Sequence, residues 1–550
     1  MKTLIFITIF LLIPLTSFSK TIPTETEKIS TFCKLWGFLK YYHPEVAKGN
    51  LDWDSEFMNG VKSINNLKTK QELNNYYSEW IKSLGEVKHC KKCNNILPDS
   101  LKFNLELNWL SDTSVFSNNM IEQLQYIQQK RNQGKNYYVQ QTKFVGNTGF
   151  KNEKLYTDSV FPSPELRLLT LSRYWNIINY FFPYKYVIGE NWDSVLVEMI
   201  SKFKYADDTV AYHLAILELT VKINDSHAGF VTKYTQQYFG IKWTPFIYNI
   251  IDSKAIVTGC YNDSLCLRND IKYGDVFLTV NGRTIEEIIN EQSKYICASN
   301  QAIKMRKLYY GIFTGSTDSV TVTYEREGKT LQKTIARYNF YEFNYNWQHE
   351  SKNEHYKILD GNIGYVDLGQ LTKNEVDNVF EKLDDTKAII FDVRNYPNGT
   401  MYNIAYHLLP EKKQFVMFSN PDISFPGAYR FTEPYFCGGN NKNPYKGKVV
   451  LLFNETTQSH AEFTLMALKT APNVIGIGSQ TSGADGNVSY IPLPGGYKTV
   501  MTGIGVYYPD GTETQRIGII PDIKVKPTIE GIRAGKDEVL EKAMEVINEK

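Results

Sequence analysis

The residues best placed to do chemistry stand at one boundary. In VVLLFNETTQSHAEFTLMAL (Val449 to Leu468) an apolar run suited to a buried strand gives way to a polar turn. Apolar residues at helical spacing begin directly after Ser459. A serine there has two readings. As a helix cap it accepts an amide of the first turn, and Glu462, three residues on, reaches back to its N–H. As a nucleophile it attacks a carbonyl, given a base to take its proton and amides to hold the oxyanion. The readings are compatible, because a helix start gathers unsatisfied N–H groups and the positive end of the helix dipole at one point. The backbone amide of His460 is one such donor. The loop NYPNGTM supplies others at Asn398 or Gly399.

The elements around these residues follow from their patterns. After about residue 360, short apolar runs (NIGYVDL, AIIFDVR, VVLLFN, NVIGIGS) alternate with helical segments (NEVDNVFEKL, TMYNIAYHLL, HAEFTLMALKT). This rhythm predicts an α/β layer with crossover connections. Functional loops of such sheets lie beyond the strand C-termini, so the loops carrying Ser459 and Gly399 are expected on one side. Residues 236–345 read as a small β-rich unit with one helix, TIEEIINEQS, and TVNGRT carries the Asn-Gly hairpin signal. Further upstream, LWGFLKYYHPEVAKGNLDWDS (35–55) echoes YWNIINYFFPYKYVIGENWDS (174–194). Trp36, Pro44, Trp53, Asp54 and Ser55 recur as Trp175, Pro183, Trp192, Asp193 and Ser194. A repeated helical unit is expected. Residues 96–165 read as connector, and 410–447 as a long aromatic loop lining the cleft.

Bulk composition narrows the function. The 550 residues are 42% hydrophobic and 22% charged with net charge +2, which suits a multidomain folded protein and gives no nucleic-acid footprint. Residues 1–19 read as a secretory signal, too short to span a bilayer, and no later segment is long and apolar enough to do so. A periplasmic or extracellular location is expected. Seven cysteines leave at least one thiol unpaired. At HCKKC, Cys90 and Cys93 suit a local disulfide or free thiols better than zinc. No metal motif such as H-E-x-x-H is present, HESKNEH (349–355) lacks ligand spacing, and no phosphate-binding glycine loop occurs. No metal or cofactor is expected.

Six segments (YGDVFLTVNG, IGYVDL, IIFDVRNYPNG, NETTQSHAEF, GSQTSGADG and GIIPDIKV) occur in the order typical of the tail-specific, or C-terminal-processing, serine peptidases. The resemblance covers residues about 165 to 528 and implies a multidomain α/β protein. Its parts are an N-terminal helical domain with connector (20–150), a second helical repeat (160–235), a PDZ-like domain (236–345) and a crotonase-like catalytic domain (355–550). It implies Ser459 as nucleophile. The branch that uses lysine places it in T-x-G-K-G, where this chain has Ala484 in TSGADG. The tricorn-core-like branch uses a histidine preceded by serine, and NDSHAGF supplies Ser226 and His227. His460 is a rival base, but adjacent helical residues do not face each other. A glutamate orients the imidazole in that branch; here Gln515 stands in its place, with Glu513 two residues earlier. Asp392 and Arg394 are expected to pair structurally. The implied function is a secreted or periplasmic serine endopeptidase acting on peptides or proteins, its activity rising through about pH 6–7 as an imidazole base requires. A catalytically weak binding homologue and an esterase are the alternatives, since Gln515, Ala484 and the Asn398-Gly399 pair depart from the family pattern.

Overall fold

The two echoed segments build the same device twice. The computed structural model describes residues 23–88, 97–308, 311–343 and 355–549. In it Trp36 Nε1 donates to Trp53 O (2.8 Å), and Trp53 Nε1 donates back to Trp36 O (3.2 Å). The second copy repeats the exchange, Trp175 to Trp192 O at 2.7 Å and Trp192 to Trp175 O at 3.0 Å. The indoles of each pair stack, with centroids 6.2 and 6.4 Å apart. A buried indole N–H needs a partner, so the crossed bonds fix the angle between the two helices of each copy. Those helices are Glu25–Tyr42 with Trp53–Asn65, and Pro164–Phe181 with Trp192–Lys204. Thr24, Asp52, Ser163 and Asn191 cap their N-termini.

The copies pack reciprocally. Arg173 of the second bonds Asp54 of the first at 2.8 Å, and Lys34 of the first bonds Asp193 of the second at 2.7 Å. Between them Gly37 backs onto Asn176, so closely that a Cβ on the glycine would lie 1.8 Å from Asn176 Oδ1. Glu153 joins the buried charges, 2.6 Å from Lys40 and 3.0 Å from Arg173. That glutamate belongs to the stretch expected to be a connector, which is instead folded. It holds the helix Asn118–Gln129 and the paired strands Val139–Gln141 and Thr148–Phe150. Met120, Leu124 and Ile127 bury one helical stripe there within a largely polar sequence.

Residues 246–336 form an antiparallel sheet, with Phe246–Ile251, Lys254–Cys260, Val276–Val280, Ser319–Arg326 and Lys329–Ala336 as successive neighbours. Asn281 (φ 50°) and Gly282 (φ 80°) close the expected hairpin onto Arg283–Thr284. Among the described residues three α-helices of this unit accompany the sheet where one was expected: Asp263–Arg268, Ile285–Gln292 and Gln301–Lys307. A disulfide joins Cys260 to Cys266.

The C-terminal part is the expected α/β layer. Ile363–Asp367, Ala388–Asp392, Lys448–Phe453, Val474–Gly478 and Ile523–Lys524 run parallel in that order, with Tyr356–Leu359 antiparallel at one edge. The two central runs, Ala388–Asp392 and Lys448–Phe453, are buried on both faces, as strands inside a parallel sheet require. The segment 410–447 is more ordered than a loop. Its strand Lys413–Pro421 pairs with Tyr429–Phe431, Tyr435–Cys437 and Gly505–Tyr507 in a second sheet. Among the described residues no helix is long and apolar enough to cross a membrane. The expected signal segment 1–19, Cys90, Cys93 and His349 lie outside the described residues.

Candidate active site

Ser459 follows the strand Lys448–Phe453 by a short turn and caps the helix His460–Leu468. An ordinary N-cap residue has extended dihedrals. Ser459 instead sits at φ 57° and ψ −123°, a left-handed conformation that costs a non-glycine residue about 1–3 kcal/mol. Two acceptors hold it there: its N–H faces Ala484 O at 3.0 Å and Glu462 Oε2 at 3.2 Å. Glu462 is fully buried and also receives the amides of Gly483 (2.8 Å) and Ala484 (3.0 Å) and the hydroxyl of Thr481. Burial nonetheless pushes its carboxyl up to about 7. One side chain thus ties the 481–484 loop to the turn that strains the serine. Sequence reasoning saw in Glu462 only half of a cap. Beside it Asp485 is buried, with Oδ2 unpartnered among the described residues, and burial first, then the Glu462 charge, raise it well above the carboxylate range.

The loop after Ala388–Asp392 converges on this helix start. Gly399 has φ +72°, and a Cβ built on it would stand 3.3 Å from Lys373 Cε and 4.0 Å from His460 Nε2. Asn398 Nδ2 donates to Gly369 O (3.0 Å) and Leu371 O (3.3 Å), which fixes the loop. The His460 ring packs between Tyr396 and Phe463, with centroids 6.1 and 6.0 Å away. Its Nε2 is buried without a partner among the described residues, and burial lowers its proton affinity.

The 481–485 loop also reaches the His227 segment. Ser226 Oγ donates to Ser482 O at 3.3 Å, and Ser482 N donates to Thr457 O, two residues before Ser459, at 3.0 Å. His227 Nδ1 lies 2.8 Å from Thr502 Oγ1. That hydroxyl donates its single hydrogen to Asp225 Oδ1 (3.0 Å), so toward the ring it accepts. The proton of neutral His227 therefore sits on Nδ1, and Nε2 keeps its lone pair. Asp225, fully buried, also receives the amides of His227 (3.0 Å) and Thr502 (2.6 Å). Burial first of all, with Lys307 in support and Asp225 opposing, holds the imidazole below its ordinary value.

Residues 362–525 match peptidase family S41. The chain carries an S41 peptidase domain. At that level it is a serine-type peptidase. Its fold resembles mature CPAF complexed with lactacystin (TM-score 0.55, 14% identity, covering 70% of this chain and 98% of that one). Mature CPAF alone gives a TM-score of 0.54 at 15% identity over the same shares. A putative peptidase from Parabacteroides merdae has a TM-score of 0.44 at 16% identity, covering 71% and 98%.

Within the S41 domain the remaining expected residues divide. Asp392 and Arg394 form a two-point ion pair (2.6 Å at its shortest), which Tyr365 and Asp537 extend. Gln515 is not brought to His227 Nδ1, whose neighbours are Thr502 and Asp225. It is buried, with both amide atoms unpartnered among the described residues, in the wall of a cleft of about 450 Å³ shared with Asn300, Gln480, Glu513 and Arg516. The reason lies in the chain: Arg516 N bonds Gly483 O and Ile517 N folds back to Gln515 O, which turns this segment toward the cleft. Asp225 stood in the quoted motif two residues before the histidine. Thr502, 275 residues away from His227, left no signal.

Proposed function

We propose that the protein is an endopeptidase in which Ser459 is the nucleophile and His227 the general base. The observation that carries this is the left-handed backbone of Ser459. A serine serving only as a cap gains nothing from that strain, whereas a nucleophile presented on a sharp strand-to-helix turn does. His227 Nε2 takes the Ser459 proton as Oγ attacks the peptide carbonyl. The amides of His460 and Gly399 receive the oxyanion at the helix start. The imidazolium returns its proton to the departing amine, and water then hydrolyses the acyl-enzyme by the same relay. The Thr502–Asp225 arm takes the orienting role first expected of Gln515, with Ser226 and Asn398 as supports.

The sheet unit at 236–345 is read as PDZ-like, the part after 355 as crotonase-like, and the two tryptophan copies as a helical repeat packed against them. Residues 1–19 support export to the periplasm or beyond. Labelled casein and a serine-reactive fluorophosphonate probe test the reading. Both activities are expected to vanish in Ser459→Ala and to fall by at least 10³-fold in His227→Gln, the order seen when a triad member is lost. Labelling that survives Ser459→Ala moves the nucleophile elsewhere. Labelling without casein cleavage favours an esterase.

A further inference from the structure

One half-buried cation near the site has no part in the mechanism so far. Lys307, the last residue of the Gln301–Lys307 helix, belongs to the sheet unit rather than to either catalytic loop. Its Nζ donates to Ser226 O at 2.6 Å and to Cys297 O at 3.0 Å. The first of these is the carbonyl joined by its peptide bond to His227. Two further bonds dock the same stretch: Ser226 N to Ser299 Oγ (2.7 Å) and Ser299 N to Ser226 Oγ (2.8 Å). Asn300 Nδ2 reaches Thr481 O at 2.8 Å, on the loop that holds Ser459.

The charges around His227 balance only with this lysine. Asp225 accepts from three N–H or O–H donors and has no proton-bearing role among them. The other groups facing the centre are Cys297, whose thiol burial pushes up to about 12, Tyr174, raised by burial, and half-buried Lys304. Cys297 and Tyr174 are neutral and Lys304 interacts with Cys297 rather than with the ring, which leaves Asp225 and Lys307 as the charged groups that act on His227. A proton added to His227 would be an unmatched positive charge in a buried place.

We propose that Lys307 is a positioning residue for the base: its ammonium anchors the Ser226–His227 peptide and opposes charging of the ring. The sheet unit thereby contributes to catalysis without touching substrate. The proposal rests on His227 as base, and that reading fails separately if His227→Gln cleaves labelled casein at the parent rate.

The test reads the ring itself. In the Ser459→Ala background, ¹⁵N-histidine spectra assigned with His227→Gln give the His227 titration midpoint. Lys307→Met is expected to raise the midpoint by about one pH unit, the scale of one nearby charge. Lys307→Arg is expected to keep it. With Ser459 restored, Lys307→Met should lose casein cleavage several-fold more at pH 6 than at pH 8. An unmoved midpoint overturns the proposal, as does an equal loss at both pH values or complete loss with Lys307→Met folded, which would make the lysine itself the base. If Lys307→Met does not fold, the parent midpoint decides. A value at or above about 6.5, the ordinary imidazole figure, overturns the proposal.

Discussion

His227 Nδ1 and Thr502 Oγ1 stand 2.8 Å apart, and the threonine has already given its hydrogen to Asp225. The ring is therefore held in one tautomer by a hydroxyl that relays a buried carboxylate. The carboxylate itself stands 3.7 Å from Nδ1, too far for a direct hydrogen bond. Thr502→Val keeps the shape and removes the relay. Fluorophosphonate labelling is expected to slow by about 10–100-fold, with Thr502→Ser restoring most of it. Equal rates in Thr502→Val would detach the relay from the mechanism.

The pH dependence carries a definite sign. As the proposed base His227 must be neutral to accept a proton, and burial lowers its affinity for one. The base form is then present at lower pH than for an ordinary imidazole. The His227 ring, followed by NMR, is expected to titrate below 6.5, lower than the pH 6–7 rise that the sequence suggests.

Strain at Ser459 separates two silent substitutions. Glycine accepts φ 57° without penalty and alanine does not. Ser459→Gly is expected to be more stable than Ser459→Ala by about 1 kcal/mol in urea unfolding, both being inactive. The reverse order would mean that the turn relaxes in solution.

Gly399 offers a parallel case with the opposite outcome. Its φ of +72° and the nearby Lys373 stem leave an added methyl strained. Gly399→Ala is expected to lower kcat by on the order of 10²–10³, the scale of one lost oxyanion donor. Normal turnover in folded protein would remove this loop from oxyanion binding.

Glu462 makes stability depend on pH. Its folded-state value, about 7, lies above the ordinary 4.5. The folded protein therefore holds the proton more tightly than the unfolded chain. This contribution is present below the ordinary value and lost as pH rises toward 7, by on the order of 3 kcal/mol. Thermal midpoints measured from pH 5 to 7 should fall more steeply in the parent than in Glu462→Gln.

The two reciprocal bridges of the repeat differ in burial and should differ in worth. Arg173 and Asp54 are almost wholly buried, whereas Asp193 is 54% exposed. Asp54→Ala is expected to cost about 1.5–3 kcal/mol, because the buried guanidinium loses one charged partner and keeps Glu153, and Asp193→Ala less than about 1 kcal/mol. Denaturant midpoints check both.

Legibility followed the range of the interactions. The strands AIIFD and KVVLLF, the helix after Ser459 and the Asn281–Gly282 turn were readable because local periodicity or one dipeptide sets them. The Trp36–Trp53 and Trp175–Trp192 pairs were readable as an echo, though not as crossed bonds. The strand Lys413–Pro421 reads as loop in the sequence because its Pro- and Gly-rich surroundings mask a short alternation, and its partner Gly505–Tyr507 lies far along the chain. Of the proposed site, Ser459, His227, Gly399 and Asn398 stand in motifs. Thr502 and Lys307 did not, since a threonine ending a strand and a lysine ending a helix acquire meaning only from what folds against them.

The meeting of Gly37 and Asn176 has a historical consequence. Both occupy the same place in their respective copies, face to face at the pseudo-dyad. In an assembly of two identical halves that place would hold either two asparagines, which collide, or two glycines, which leave a gap. Fusing both halves into one chain frees each to vary alone, so one supplies the knob and the other the socket. Neither copy, expressed singly, should find a matching mate in itself.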